Sequence, residues 1–197
     1  MDIRKFLIIE PRTKSLPKTH ETISKVYKVF TDGSSINNGQ KNCVGGIGVF
    51  FEDNSPNNIG EKMTFKNDGK VSNNVCELTA CLHAIIIIKD LPEFNNVNDS
   101  ILICTDSKYL IDSITLWSNS WEKNGWMRKN RSGQLKPVKN LELIKQIKGL
   151  TTRYTVHFKH VKAHRSEPNV SKDTMEYKEW YGNMMADKLA NDAAKSQ

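Results

Sequence analysis

The chain has 197 residues, of which 38% are hydrophobic and 26% are charged, which favours a soluble globular protein with one main domain. Its 29 basic and 22 acidic residues give a net charge of +7 and a pI near 9.2, so a polyanion such as nucleic acid is a favoured partner. No apolar run is long enough to cross a membrane, which excludes an integral membrane protein from this sequence pattern.

The apolar run at residues 6–9 is too short for the core of a signal peptide. The four cysteines form no CxxC pair: Cys43, Cys76, Cys81 and Cys104. We expect them to be small buried hydrophobic side chains in a reducing compartment. The sequence therefore predicts an intracellular protein, cytoplasmic or nuclear, without a secretory signal.

The first predicted core element is a strand at residues 26–35, VYKVFTDGSS, which follows an N-terminal extension at residues 1–25. We expect the strand to end at Asp32 and the chain to turn at Gly33. Asp-Gly is a strong hairpin signal, so a simple turn is one interpretation. The other is a carboxylate held at the tip of a buried strand as a metal ligand or catalytic group.

Two more strands are predicted next, at residues 44–51 (VGGIGVFF) and near residues 62–66, which makes an antiparallel meander. The three glycines of the second strand indicate a bulge or a close approach of another backbone. A long helix follows at residues 75–89, with apolar side chains at helical spacing. Residues 101–104 are an unbroken apolar run, typical of a strand covered on both faces.

A helix is predicted to begin at Ser107, and residues 121–139 after it are basic and aromatic. Residues 141–150 read as an amphipathic helix and residues 154–161 as a strand. We expect residues 162–182 to be irregular, with a last helix at residues 183–195. The order of elements predicts an α/β fold with a mixed sheet flanked by helices.

Four carboxylates lie at the ends of strands or on buried helix faces of this pattern: Asp32, Glu77, Asp106 and Asp187. Each has an ordinary explanation. Glu77 fits a capping box with Asn74, Asp106 fits a helix cap, and Asp187 fits an exposed helix surface. Glu77, however, tops the buried stripe of its helix, where an ionised carboxylate needs a cation or hydrogen bonds.

Taken together, the four acids indicate a metal site. If the first and fourth strands are neighbours, Asp32 and Asp106 meet at one sheet edge, where like charges repel unless cations neutralise them. Hard oxygen ligands without Cys or His spacing select Mg²⁺ or Mn²⁺ rather than zinc. Two such ions form an apparatus for phosphoryl displacement.

The motifs that carry these acids resemble type 1 ribonuclease H, in the family's order and at similar spacing, over about residues 25–195. They are FTDGS (30–34), NNVCEL (73–78), TDSKYL (105–110), WSNSWEKNGW (117–126), HVKAH (160–164) and NMMADKLA (183–190). The resemblance implies a ribonuclease H-like fold with a mixed five-stranded sheet, three antiparallel strands being followed by two further strands. It assigns residues 26–197 to the catalytic domain, with a basic protrusion at about 121–139 and an insertion at about 165–182.

The resemblance implies an endoribonuclease that hydrolyses the RNA strand of RNA–DNA hybrids with two Mg²⁺ ions, for which Mn²⁺ substitutes. The products are a 5′-phosphate and a 3′-hydroxyl. Asp32 is expected to bridge both ions and Asp187 to join it at the ion that activates the attacking water. Glu77 and Asp106 are expected to hold the ion beside the leaving 3′ oxygen.

His164 occupies a loop position where the family has a histidine that assists proton transfer and product release. An ordinary loop histidine is one alternative, and a zinc pair with His160 is another. The segment reads as a strand without a third ligand, which disfavours zinc. Asn183, one turn before Asp187, also matches a family position near the site.

Hybrid recognition requires contact with 2′-hydroxyls. Asn73 and Asn74 match family asparagines that reach the shallow groove, although paired asparagines before a helix are also ordinary caps. Lys70, Ser72 and Asn140 resemble the family's pocket for a DNA phosphate, with Lys and Ser replacing its commoner Arg and Thr.

Tyr109 and Trp121 resemble the family's channel for the DNA strand, whereas Trp117 and Trp126 are expected to be core or supporting residues. Residues 121–139 resemble a basic protrusion that grips the hybrid, the alternative being a solvated charged surface. Contacts of this kind predict binding that weakens steeply with salt.

The sequence departs from the family pattern at three places. Lys108 stands where several bacterial relatives have a hybrid-contacting glutamine, and residues 165–182 are longer than the usual link after His164. Residues 1–25 are too short for a separate hybrid-binding domain, so we expect less processive cutting.

The predicted partner is an RNA–DNA hybrid, bound by a monomer without an obligate protein partner and without a membrane. A non-catalytic nucleic-acid-binding module is the main competing function. A cluster of acids argues against it, because acids repel a polyanion in the absence of metal. A sugar-kinase-like protein would require phosphate-binding glycine loops in two halves, and only one half is present.

Overall fold

Strand β1 (Val26–Ile36) lies in the middle of a mixed five-stranded sheet, in the computed structural model, which describes residues 24–63 and 71–196. The other strands of this sheet are β2 (Val44–Phe50), β3 (Ile59–Met63), β4 (Ser100–Thr105) and β7 (Val156–His160). Their order is β3-β2-β1-β4-β7, with antiparallel pairing on the β2 side of β1 and parallel pairing on the β4 side. The predicted fold class is confirmed, and the first and fourth strands are neighbours.

The helices are α1 (Asn73–Lys89), α2 (Lys108–Asp112), α3 (Ser118–Lys123), α4 (Leu141–Arg153) and α5 (Met175–Lys195). A π-helical turn, Ser113–Trp117, joins α2 to α3. Strands β5 (Met127–Lys129) and β6 (Leu135–Pro137) form a separate antiparallel hairpin within the basic segment 121–139, where no strand was predicted.

Strand β1 does not turn after Asp32. The pairing with β2 continues through Asp32 and Gly33, which lie opposite Gly48 and Ile47, whereas the pairing with β4 ends at Phe30. The predicted turn at Gly33 is therefore wrong. Asp32 is therefore still paired with β2 but lies just beyond the last residue of β1 that is paired with β4.

The sheet is covered on both faces. On one face, β-strand side chains such as Val29, Ile47 and Ile103 share a buried cluster with the apolar side of α1. On the opposite face, Phe30, Phe50, Cys104 and Ala186 form a second buried cluster beneath α5. Three of the four free cysteines are buried, as their apolar surroundings predict.

Helix α5 lies against β2 at unusually short range because the strand has glycines where it crosses. A Cβ on Gly46 would lie 2.2 Å from the carbonyl oxygen of Ala190, and one on Gly48 would lie 2.0 Å from that of Ala186. Close backbone approach, one of the two roles predicted for these glycines, is thus the one observed. The approach brings Asp187, the residue after Ala186, to the strand pair that carries Asp32.

Helix α5 begins at Met175 rather than at residue 183, so the irregular segment predicted at 162–182 is wrong over its last part. Thr174 caps the helix by accepting a hydrogen bond from the Tyr177 N–H at 3.2 Å. Gly182, which resembles a helix breaker, is instead buried inside α5, where a Cβ would lie 2.2 Å from the ring of Phe30. A contact with β1 therefore explains this glycine.

The third strand is β3 (Ile59–Met63), which begins earlier than the predicted residues 62–66. Residues 64–66, Lys70 and nearly all of the predicted extension at residues 1–25 lie outside the described residues. Across residues 24–63 and 71–196, none of the helices combines the length and the apolar character required to span a bilayer.

Candidate active site

Three carboxylates from distant parts of the chain converge at the edge of the central sheet. Ligand oxygens of Asp32, Glu77 and Asp106 all lie within 4.8 Å of one another. Asp32 lies two residues after Phe30, the last β1 residue paired with β4, and Asp106 follows the end of β4, so neighbouring strands deliver both groups. Glu77 comes from α1, whose backbone lies directly over Gly33.

Asp187 of α5 lines the same cavity, which has a volume of about 510 Å³ and is also lined by Asp32, Glu77 and Asp106. Its Oδ1 accepts a hydrogen bond of 2.9 Å from Asn191 Nδ2. The structure thus brings all four predicted carboxylates to one cavity, with three of them in mutual ligand range.

Asn191 is a residue of this cavity that the sequence analysis missed. It donates to Asp187, and its Oδ1 accepts a 2.6 Å hydrogen bond from Ser34 Oγ of β1. Asn191 therefore orients Asp187 and ties α5 to β1. Its position one helical turn after Asp187 is the signal that points to it.

The burial and mutual repulsion of the acids raise their proton affinity. Burial, followed by the charges of Asp106 and Asp187, raises the pKa of Asp32 to about 8, although the Gly33 N–H partly opposes this. Burial and then the charges of Asp32 and Asp106 hold the pKa of Glu77 well above its usual range. Within the described part of the chain, the ionised carboxylates therefore have too little nearby positive charge to stabilise them.

Glu77 is 4% exposed, and its Oε2 has no hydrogen-bond partner among the described residues. Its other oxygen accepts a long contact of 3.4 Å from Asn73 Nδ2. A buried carboxylate oxygen without a partner is costly, and a bound cation would satisfy it.

The helix-cap explanations of Glu77 and Asp106 are wrong. Ser72 caps α1 by accepting from the Val75 N–H at 3.4 Å, so Glu77 is too far along the helix for a capping box. Ser107 caps α2 by accepting from the Leu110 N–H at 3.3 Å, which leaves the Asp106 side chain free for the cavity. Neither acid is held at its position by a role as a helix cap.

His164 is exposed and lines the 510 Å³ cavity, with its backbone in the left-handed region at a φ of 47°. A smaller cavity of about 60 Å³ lies beside it, lined also by Asn183 and Asp187. Asn183 is 5% exposed and its Oδ1 has no hydrogen-bond partner among the described residues. His160 lies in β7. In the described part of the chain, the cluster of possible metal ligands is formed by Asp32, Glu77 and Asp106 and includes neither His160 nor His164, which disfavours a zinc pair of the two histidines.

Three of the residues predicted to bind a hybrid line the cavity: Asn73, Asn74 and Tyr109. Asn73 and Asn74 are exposed in the first turn of α1 and line the cavity; they are not the cap, which is Ser72. Asn140 precedes α4 with a φ of 57°, and its Nδ2 donates to the hydroxyl of Tyr109 at 3.2 Å. The structure thus links Asn140 to Tyr109, two residues that the sequence analysis placed in separate groups.

Three aromatic rings form a series that starts at the cavity. Tyr109 lines the cavity and lies 6.3 Å from the ring of Trp117, which lies 5.5 Å from that of Trp121. Trp117 is 38% exposed, so it supports its neighbours from the surface rather than from the core. Trp126 packs partly buried against the core beneath the ammonium group of Lys145.

The β5–β6 hairpin presents basic side chains to solvent. Lys129, Arg131, Lys136 and Lys139 are all exposed there. Exposed lysine and arginine side chains on this hairpin are available to neutralise phosphates. Lys108, at the start of α2, adds a cation to the wall of the cavity.

The comparisons with known proteins agree with one another. A family model described as RNase H matches residues 24–195. A ribonuclease H of Schizosaccharomyces pombe is 34% identical over 166 residues, which are 84% of this chain and 52% of that protein. A ribonuclease H of Zymomonas mobilis is 32% identical over 173 residues, which are 88% of this chain and 91% of that protein.

Among solved structures, LC9-RNase H1, described as a type 1 RNase H with the type 2 active-site motif, superimposes with a TM-score of 0.59. It is 20% identical and covers 87% of this chain and 72% of its own, so this likeness concerns the fold. The chain spans about half the length of the Schizosaccharomyces relative and about nine-tenths of the Zymomonas relative.

Proposed function

The chain belongs to the RNase H family, as a type 1 member, and we propose that it is an endoribonuclease that hydrolyses the RNA strand of RNA–DNA hybrids. It is a nuclease of the hydrolase class, and its products are a 5′-phosphate and a 3′-hydroxyl. The observation that carries the proposal is the convergence of Asp32, Glu77 and Asp106 in a cavity that Asp187 also lines.

The donor set fits hard divalent cations. All the ligand atoms are carboxylate oxygens, two of the acids are buried, and one oxygen of Glu77 has no hydrogen-bond partner among the described residues. Two Mg²⁺ ions, for which Mn²⁺ substitutes, would be held by the four acids, with Asp32 shared between them. When bound, such ions activate a water molecule and stabilise charge on the leaving 3′ oxygen.

The residues around the ions divide the remaining work. Asp187 would help to hold the ion that activates the attacking water, whereas Glu77 and Asp106 would hold the ion beside the leaving oxygen. His164, at the exposed rim of the cavity, assists proton transfer and product release. Asn183, on the helix that carries Asp187, supports this edge of the site.

Two surfaces would hold the two strands of the hybrid. Asn73 and Asn74 are exposed at the cavity, where their amides are available to 2′-hydroxyls of the RNA strand. The DNA strand would follow Tyr109 and Trp121.

A DNA phosphate would bind at Ser72, Asn140 and Lys70, the last of which lies outside the described residues. The Asn140 amide is already in place beside the Tyr109 hydroxyl. The exposed lysines of the β5–β6 hairpin would grip the duplex beyond it. All the proposed ligands of the ions come from one chain, which supports action as a monomer.

The test uses an end-labelled RNA–DNA hybrid with Mg²⁺ or EDTA, beside single-stranded RNA and duplex DNA. We expect cleavage of the RNA in the hybrid alone, lost in EDTA and in Asp32→Asn. Binding of the hybrid without cleavage in Mg²⁺ or Mn²⁺ would instead establish a non-catalytic binding module.

A further inference from the structure

The segment that carries His164 is exposed, yet it is anchored to α5 by two contacts at the next residue. The indole Nε1–H of Trp180 donates a 2.9 Å hydrogen bond to the carbonyl oxygen of Arg165. The guanidinium group of Arg165 reaches Glu176 Oε1, also at 2.9 Å. Both partners lie in the first turns of α5, where the sequence analysis predicted irregular chain.

The backbone of His164 requires such an anchor. Its φ of 47° lies in the left-handed region, which residues other than glycine rarely adopt. A conformation of this kind persists where the surroundings determine it. The hydrogen bond from Trp180 fixes the peptide group between Arg165 and Ser166, one residue beyond the strained His164, whereas the exposed ion pair to Glu176 adds less.

The anchor and the proposed metal ligand Asp187 share one rigid element. Trp180 precedes Asp187 by about two turns of α5, and both line the 60 Å³ cavity together with His164. Helix α5 itself lies tightly on β2 through the glycine contacts described above. The position of His164 relative to Asp187 is therefore set through the first turns of α5.

We infer that Trp180 is a positioning residue for His164, and that the N-terminal turns of α5 hold the histidine over the reacting phosphate. This inference rests on the proposed function. Trp180 does not touch the substrate in this proposal; it acts by holding the carbonyl group of Arg165, the residue after His164. Loss of the indole N–H of Trp180 leaves the His164 side chain unchanged, but its imidazole is no longer held in the productive position.

The first test is steady-state hybrid cleavage by Trp180→Phe, which keeps an aromatic ring and removes the N–H donor. We expect kcat to fall about tenfold with KM unchanged, because general acid–base catalysis depends on placement. In a His164→Ala background the same change is expected to have no further effect on kcat. A residue that only stabilises the fold would lower kcat by the same factor in both backgrounds, which would overturn the inference.

A second pair of variants avoids any change to a large side chain. Glu176→Gln removes the ion pair to Arg165, whereas Glu179→Gln removes the ion pair that joins α5 to Lys159 of β7. The two glutamates lie on the same turns of α5 and differ in whether their partner adjoins His164. We expect a two- to threefold lower kcat for Glu176→Gln and wild-type kcat for Glu179→Gln; equal effects of the two would contradict the inference.

The outcomes separate the inference from the proposed function. A wild-type protein that binds hybrid without cutting it overturns both. A wild-type protein that cuts hybrid, with kcat unchanged in Trp180→Phe or in His164→Ala, overturns the positioning role alone.

Discussion

Gly33 and Glu77 lie so close that a Cβ on the glycine would stand 2.2 Å from the backbone nitrogen of the glutamate. Strand β1 and helix α1 therefore touch backbone to backbone one residue after Asp32. This contact delivers the Glu77 carboxylate to within ligand range of the Asp32 carboxylate. The short distance between Asp32 and Glu77 thus depends on the absence of a side chain at Gly33.

Gly33→Ala is expected to destabilise the fold by at least about 2 kcal/mol, because strand and helix backbones must separate. Gly149→Ala is the matched control, since a Cβ there meets nothing within 4 Å and the residue lies inside α4. That change is expected to stabilise by about 0.5–1 kcal/mol through helix propensity. Urea unfolding of both variants measures the difference, and equal effects would show that the close contact is not present.

Metal binding is expected to raise the thermal stability of the wild-type protein. At about 100 times its dissociation constant a ligand stabilises by about 2.7 kcal/mol, roughly 5–10 °C for a domain of this size. Asp187→Asn is expected to reduce the shift caused by Mg²⁺, whereas Asp192→Asn, exposed on the same helix, is expected to keep it. Calorimetry with and without Mg²⁺ reads this out, and a full shift in Asp187→Asn would remove that residue from the ligand set.

The metal-free protein is expected to lose stability as the pH rises. The pKa of Asp32 is raised from 3.8 to about 8, so between these values the folded state holds a proton that the unfolded state has lost. Stability from this group is fully present below about pH 4 and falls up to about pH 8, by at most about 1.4 kcal/mol per pH unit.

Thermal unfolding in EDTA at pH 5.5 and pH 8 measures this loss. The Tm is expected to be lower at pH 8, and Asp32→Asn, which cannot ionise, is expected to show a weaker dependence. The prediction fails if the wild-type protein and the variant have parallel pH profiles.

The β5–β6 hairpin is expected to bind hybrid through phosphates. Replacing both Lys129 and Lys136 by glutamine is expected to weaken binding and to reduce the slope of log K against log salt by about one for each lost contact. Lys89→Gln serves as the control, because Lys89 lies at the end of α1 opposite to Glu77. Fluorescence anisotropy over a series of salt concentrations distinguishes phosphate contacts from a merely solvated surface, for which the slope would not change.

Three of the acids were accessible to sequence analysis because Asp32 and Asp106 each follow an apolar strand and Glu77 tops a buried helix face. The five-stranded mixed sheet and the role of Asp187 were implied by the resemblance to type 1 ribonuclease H. Asp32 and Asp106 each lie two residues beyond Phe30 and Cys104, the last pair of the ladder between β1 and β4. Hydrophobic periodicity places each acid at the end of its strand, whereas the pairing of the two strands is seen in the structure. The turn at Gly33 was predicted wrongly because Asp-Gly is a strong local signal. What decides the conformation there is a tertiary contact with α1, which no short window contains.

A tertiary contact that no short window contains also explains why the start of α5 was predicted too late, at residue 183 instead of Met175. Gly182 resembles a helix breaker in sequence, but the ring of Phe30 occupies the space that a side chain would need. The hairpin strands β5 and β6 escaped prediction because they are three residues long and mostly exposed, so they have no apolar alternation. Asn191 was missed because its hydrogen bond with Ser34 joins parts of the chain that are far apart, although Asp187 lies one helical turn before it.

The position of Asp187 on the last helix has a consequence for the order of events during synthesis. A growing chain has already produced β1, α1 and β4, and with them three of the acids, before the ribosome reaches α5. Until that helix docks on the glycines of β2, one face of the sheet is uncovered and the fourth carboxylate is missing. The proposed four-carboxylate site is therefore incomplete until α5 has been synthesised and has docked on the sheet.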